Sequence, residues 1–240
     1  LTYVGADIRR IEDRRLITGN GQYVGDLPSA GLLHIAFLRS PHPKARIVRL
    51  DTSRAEAAPS VVRVITGKDF AGLPRMPIFR GLPGLKGIDA EVLQTEMVHF
   101  VGEPVAAIVA ESRQAAEDAL DLIDIEYDPL PSVGEAEAAM APDAPLVHEE
   151  LGTNISYHVK RKAGDPDAAF ARAHGTASVR IRVPRLAHNA LEARGILATY
   201  DPVLDQLVIY LSTQAPHRSR ANIASQLKMP ESKIRVIAAD

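Results

Sequence analysis

The residues best placed to do chemistry stand at Ser212-Thr213-Gln214-Ala215-Pro216-His217, where a predicted strand ends and a predicted helix begins. Open α/β structures present side chains and backbone donors to ligands at such junctions. Gln214 offers an amide N–H donor there, although capping of the following helix by Thr213 or Gln214 is the commoner use of these residue types. The other candidates are weaker. His188 and Glu192 stand at i, i+4, which would bring two metal ligands together on a helix, but Pro184 and the strand-like surroundings favour a local hydrogen bond. No pair among the eight histidines has His-x-x-x-His spacing on a predicted helix, so no metal ligand is assigned. A Gly-x-Ser-x-Gly elbow is missing, which leaves a serine hydrolase without its usual geometry. Gly19-Asn20-Gly21 with Gly25 misses the dinucleotide fingerprint, because the third glycine comes one residue late and no strand leads into a helix there. Gly67-Lys68-Asp69 lacks the Ser or Thr of a phosphate-binding loop and reads as a turn, and Asn154-Ile155-Ser156 has the form of a glycosylation acceptor without a signal peptide to give it meaning.

Composition narrows the remaining classes. The absence of cysteine removes iron–sulfur ligation, Cys-based zinc, attached c-type haem, disulfides and a thiolate nucleophile from this chain's own chemistry. Lys and Arg total 28 against 30 Asp and Glu, which gives no positive field to attract nucleic acid or an anionic membrane. With 46% hydrophobic and 24% charged residues over 240 positions, the chain has the composition of a globular protein of one large or two small domains. Its longest strongly apolar run, near Val105–Ala110, falls far short of the roughly 20 residues of a membrane span. The segment Leu1-Thr2-Tyr3-Val4-Gly5 carries no basic then apolar leader, and the expected location is cytoplasmic.

The elements that would position Gln214 come late in the chain. Residues 1–31 read as an irregular lead-in, followed by strands over 32–39, 46–50 and 61–65 and a short helix over 54–58, begun by Thr52 or Ser53 and ended by Pro59. Residues 71–95 are dense in Pro and Gly and form a long loop, of the kind that contacts a partner or a site. A β-α-β unit then runs through strand 104–110, a helix near 112–122 with Ala116, Ala119, Leu120 and Ile123 on its apolar stripe, and strand 123–127. Residues 132–150 are a linker with one short helical stretch near 134–140. Beyond it the pattern predicts strands over 177–183, 195–200 and 206–211, a helix over 216–228 with Pro216 in its first turn, and a strand over 234–237.

Several strings together resemble one family, the large molybdenum-binding subunit of the molybdenum hydroxylases, which include xanthine dehydrogenase, aldehyde oxidase and aerobic carbon monoxide dehydrogenase. They are Arg10-Ile11-Glu12-Asp13 with Leu16-Ile17-Thr18-Gly19-Asn20-Gly21-Gln22-Tyr23, Gly31-Leu32-Leu33-His34 through Arg39-Ser40-Pro41-His42, and Val101-Gly102-Glu103-Pro104-Val105-Ala106. Then come Ala110-Glu111-Ser112 with Ala116-Glu117-Asp118-Ala119, Tyr127-Asp128-Pro129-Leu130-Pro131, Glu192-Ala193-Arg194-Gly195, and the string around Gln214. Their order and spacing span nearly the whole chain.

The resemblance implies an α+β fold: a lead-in over 1–17, an α/β hammerhead domain over 18–131, the linker over 132–150, and over 151–240 the first β-α segment of a molybdopterin-cofactor-binding domain. It implies part of the catalytic large subunit of an oxidoreductase acting on xanthine, an aldehyde, an N-heterocycle or CO, with a water-derived oxygen delivered at molybdenum. The cofactor would be molybdenum–molybdopterin in a dinucleotide form, and the partners the remaining part of the large subunit and the chains carrying iron–sulfur clusters and FAD. Gln214 matches the family glutamine that hydrogen-bonds an oxo ligand of molybdenum, which favours cofactor binding over capping. Glu192 and Arg194 match a string usually written Met-Glu-Pro-Arg-Gly, from which Leu191 and Ala193 depart, so they are given only a supporting role. The family's Gly-Gly-Gly-Phe-Gly cofactor loop and C-terminal glutamate base do not occur in the chain, which is therefore expected to be inactive by itself. The alternative is a non-catalytic assembly or docking module derived from the same family.

Overall fold

A computed structural model describes residues 3–78 and 81–238. Phe79 and Arg80 of the expected long loop, and Leu1, Thr2, Ala239 and Asp240 at the ends, lie outside the described residues. In chain order the elements are α1 (Asp13–Ile17), β1 (His34–Arg39), β2 (Ala45–Asp51), α2 (Ser53–Glu56), β3 (Val61–Thr66), β4 (Met97–Val98), β5 (Pro104–Ala110), α3 (Arg113–Leu120), β6 (Asp124–Pro129), α4 (Ala136–Ala139), α5 (Pro166–Ala171), β7 (Ile196–Asp201), β8 (Gln206–Leu211), α6 (Pro216–Leu227) and β9 (Ile234–Ile237). The chain divides into two compact units, residues 33–188 and residues 1–32 together with 189–240.

In the larger unit β5 is the central strand of an antiparallel sheet ordered β1-β5-β3. Its unbroken run Val105-Ala106-Ala107-Ile108 is buried, as expected of a strand covered on both faces. Ala106, Ile108 and Ala110 pack with Ala116 and Ala119 of α3, with Ala55 of α2, and with Val64. Val105 joins Ala45 and Val98 in a second cluster, flanked by Ile47, Ile125 and Tyr127. The helix α3 starts where Ser112 Oγ accepts from the Ala115 N–H at 3.1 Å, and an Arg113–Glu117 pair at 2.8 Å lies along its outer face.

The expected β-α-β unit is corrected here. The strand after α3, β6, pairs antiparallel with β2 in a separate sheet ordered β4-β2-β6. Both edges of β5 are already occupied by β1 and β3, so the chain cannot return beside it. The alternating pattern of β6, with Ile125 and Tyr127 partly buried between exposed Asp124, Glu126 and Asp128, suits the half-covered sheet it joins. Gly67 explains how the loop after β3 packs: a Cβ there would lie 2.5 Å from the Leu93 carbonyl oxygen. Its neighbours form a single turn in which Asp69 accepts from the Thr66 N–H at 2.8 Å.

Two further differences concern the second half. The strand predicted over 177–183 does not form; those residues are exposed and carry no strand assignment. Conversely α5, absent from the sequence reading, is started by Pro166 and by Asp165, whose carboxylate accepts from the Ala168 N–H at 3.2 Å. Its missing apolar stripe is why periodicity gave no signal.

In the smaller unit β7 and β8 form an antiparallel hairpin, and β8 continues through α6 to the parallel strand β9. A β-α-β crossover therefore does exist, one unit later than expected. Ile209, Ala224 and Ile234 are its buried centre. Pro216 opens α6, and Lys228 closes it in the left-handed conformation.

Truncating the largest fully buried side chain of the central strand, Ile108→Ala, should cost about 2–5 kcal/mol, read from the urea midpoint of unfolding. A loss below about 1 kcal/mol would show that β5 is not the organising strand.

Candidate functional site

The junction between β8 and α6 is built by three segments far apart in sequence. Ser212 Oγ accepts from the Gly195 N–H at 2.8 Å and donates to the Gly195 carbonyl at 3.2 Å, while the Ser212 N–H reaches the same carbonyl at 3.1 Å. Gly195 lies against Val24, where a Cβ would sit 3.1 Å from the valine side chain. Val24 is buried, and its N–H donates to Glu192 Oε1 at 3.2 Å. The strings around Tyr23, Glu192 and Gln214, read separately in the sequence, thus meet in one place.

Within that junction the capping alternative resolves. The N-cap of α6 is Ala215, and no side chain caps it. Thr213 Oγ1 accepts from the Ala215 N–H at 3.1 Å and lies 3.3 Å from Ser219 Oγ, which fixes the turn entering the helix. Gln214 is exposed, and its amide makes no hydrogen bond among the described residues. With Ser212 and Thr213 both engaged, Gln214 is left as a neutral donor beside the first turn of a 12-residue helix, whose free N–H groups and dipole favour an electron-rich ligand. These residues fit an anionic cofactor that needs hydrogen-bond donors and no charged protein ligand.

Glu192 supports the junction from behind, through Val24, and Arg194 is exposed. The segment holding His188 and Glu192 is not helical, so their i, i+4 spacing has no geometric meaning. Among the described residues no group of three or more His, Asp or Glu side chains is placed to hold a metal ion. No described helix is long and apolar enough to cross a membrane.

A second polar cluster, which sequence reasoning missed, lies in the larger unit beside a cleft of about 870 Å³. Buried Glu103, from the string Val101-Gly102-Glu103-Pro104, accepts from Gln94 Nε2 at 3.0 Å and from the His99 N–H, which ties the end of the long loop to the start of β5. The His99 and His148 rings lie 4.4 Å apart. Lys44, also buried, donates to the Leu146 carbonyl at 2.8 Å and pairs with Glu149 at 3.2 Å, which holds the segment carrying His148. Burial, and then the neighbouring His99, lower the pKa of His148 below its ordinary 6.5. Only the Glu before Pro104, a polar residue where a buried strand begins, marked this cluster in the sequence.

Comparison with known proteins gives two consecutive family matches: aldehyde oxidase and xanthine dehydrogenase, a/b hammerhead domain, over residues 18–131, and molybdopterin cofactor-binding domain over residues 147–240. The carbon monoxide dehydrogenase large chain of Hydrogenophaga pseudoflava is 36% identical over 95% of this chain and 30% of its own length. The nicotine 6-hydroxylase large subunit of Paenarthrobacter nicotinovorans is 35% identical over 99% of this chain and 29% of its own. Among solved structures, quinoline 2-oxidoreductase from Pseudomonas putida 86 superposes with a TM-score of 0.90 at 36% identity, over 98% of this chain and 30% of that one. The chain thus spans about 30% of the length of the curated relatives it matches.

The lowered pKa of His148 sets a pH dependence. Above pH 6.5 the ring is neutral in folded and unfolded chains alike, and the stability it permits is complete. As pH falls from 6.5 through the lowered folded value, the unfolded chain takes up its proton first and that stability is lost. Denaturant midpoints at pH 7.5 and 5.5 should therefore fall further for the natural chain than for His148→Gln; equal falls would show that His148 is not held neutral by its site.

Proposed function

The chain belongs to the aldehyde oxidase and xanthine dehydrogenase family, carrying its α/β hammerhead domain and the start of its molybdopterin cofactor-binding domain, and we propose that it is part of the catalytic large subunit of a molybdenum-dependent hydroxylase or dehydrogenase. The observation that carries this reading is the amide of Gln214, unbonded among the described residues, at the entrance of α6, where Ser212 and Thr213 are already engaged. The substrate class is a carbon centre open to oxidation, in an aldehyde, a purine or other N-heterocycle, or CO.

When bound, a molybdenum–molybdopterin cofactor, in a dinucleotide form, supplies a two-electron redox centre. The chain's own part is positional. Gln214 donates an amide N–H toward the cofactor, and being neutral it orients a dipole there without adding charge. Ser212 on Gly195 and Thr213 on Ala215 hold the backbone on either side of Gln214. Glu192 holds Val24, which packs on the Gly195 that Ser212 bonds. The remaining part of the large subunit would supply the glycine-rich cofactor loop and the glutamate base, and the partners would be chains carrying iron–sulfur clusters and FAD.

In the assembled enzyme Gln214→Ala should lower turnover by about 10²–10³, the effect of removing one preorganised donor, with molybdenum content and thermal stability unchanged. Unchanged turnover at full molybdenum loading would make Gln214 an ordinary surface residue. Assembly with no molybdenum in the natural protein would overturn the reading itself.

A further inference from the structure

Two ionisable rings meet at the cleft of the larger unit. His99 follows β4, which is paired to β2, and His148 precedes a single helical turn over Glu149–Leu151. Their ring centroids lie 4.4 Å apart with the planes tilted by 34°. The Nδ1 atoms of both rings are buried and make no hydrogen bond among the described residues. One proton has a place in this arrangement, because His99 Nδ1 stands 3.4 Å from Oε2 of Glu103, whose side chain is only 9% exposed. A second proton, on His148, would meet the charge of His99 and of buried Lys44; the acids facing it are Glu103, already shared, and Glu150, which is exposed. The other charges lining the cleft are Asp89, Glu96, Arg185 and the pair Arg75–Glu91, closed at 2.7 Å.

The loop that carries His148 is pinned at its base and lightly held above it. Asn154 Oδ1 accepts from the Val147 N–H at 2.8 Å, and Lys44 donates to the Leu146 carbonyl at 2.8 Å, so the two ends of residues 148–153 are fixed close together. Within the loop, the Leu151 N–H reaches the His148 carbonyl at 3.2 Å and the Gly152 N–H reaches the Glu149 carbonyl at 3.1 Å. The Glu149 carboxylate that meets Lys44 is 71% exposed, and water weakens such a pair. Gly152 ends the turn in the left-handed conformation, φ 64°, where a residue without Cβ rotates at little steric cost.

We propose that His99 and His148 form a pH-operated catch: the loop over residues 148–153 lies closed against His99 while the ring pair holds at most one proton, and swings away, opening one wall of the cleft, when both rings are protonated. Two imidazolium rings in contact repel, and a coupled pair takes up its second proton only when the rings part. The direction of the pH effect follows. His148 in the closed loop is held below its ordinary 6.5, so it binds a proton more readily once the loop is open, and falling pH favours the open form. The β1-β5-β3 sheet has no part in this movement.

Hydrogen exchange on the natural assembly at pH 7.5 and pH 5.0, with each rate divided by its intrinsic value at that pH, tests the catch. Protection at Leu151 and Gly152 should fall by at least about fivefold at the lower pH, while the amides of β5 keep theirs. His148→Gln should abolish the fall, and His99→Gln should reduce it. Should one variant fail to fold, the other still decides, with β5 protection at pH 7.5 as the check on folding. Loop protection that stays level between the two pH values in the natural protein overturns the proposal. A fall that persists unchanged in His99→Gln assigns the effect to burial of His148 alone and overturns the paired catch. Equal loss in the loop and in β5 marks general unfolding and overturns it as well.

Discussion

Burial of β5 on both faces is the constraint on which the larger unit depends. A central strand covered on each side must be apolar throughout, and one that accepts a helix closely must also be small. The run Val105-Ala106-Ala107-Ile108 meets both demands, because alanines on the strand oppose alanines on α3 and α2 and leave Ile108 as the bulky centre. Everything around it follows by exclusion. With β1 and β3 on its edges, the chain leaving α3 has to join the second sheet, and the polar turn of Gln94, His99 and Glu103 fixes where β5 begins.

The sequence showed local structure far better than partnership. Ser112 before a helical stripe, Pro216 at a helix start and the alternation of β7 and β8 are signals of a few residues, set by side-chain direction and missing donors, and each appears where it was read. The strand-to-helix junction placing Gln214 was legible for the same reason. What was not legible depends on which distant segments meet. Nothing local reveals that β6 joins β2, or that Glu192 reaches Val24 across 168 residues. Residues 177–183 show the boundary most plainly, since their pattern is that of a strand, yet among the described residues no strand pairs with them.

The same division holds for the polar groups. Ser212, Thr213 and Glu192 are tied within the chain and shape the junction, whereas the Gln214 amide has no partner among the described residues. The Glu103 cluster is the reverse case: its groups are turned inward, and burial, followed by the neighbouring His99, holds His148 below its ordinary pKa. One arrangement aims a donor outward; the other fastens a loop to a sheet. Both use amides and carboxylates, and only the partners reveal the difference.

The Val24–Glu192 bond also sets a timetable for synthesis. Residues 1–32 emerge from the ribosome first, yet the unit they complete includes residues 189–240. With 168 residues between donor and acceptor, and chain growth of about 5–20 residues per second, the opening segment waits on the order of ten to thirty seconds before it can dock. During that interval residues 33–188 can fold as a body of their own, while Val24 and its neighbours remain accessible to chaperones and proteases. The order of translation thus opposes the order of folding at this end of the chain, and slowing synthesis past residue 189 would lengthen the exposure of the beginning rather than of the end.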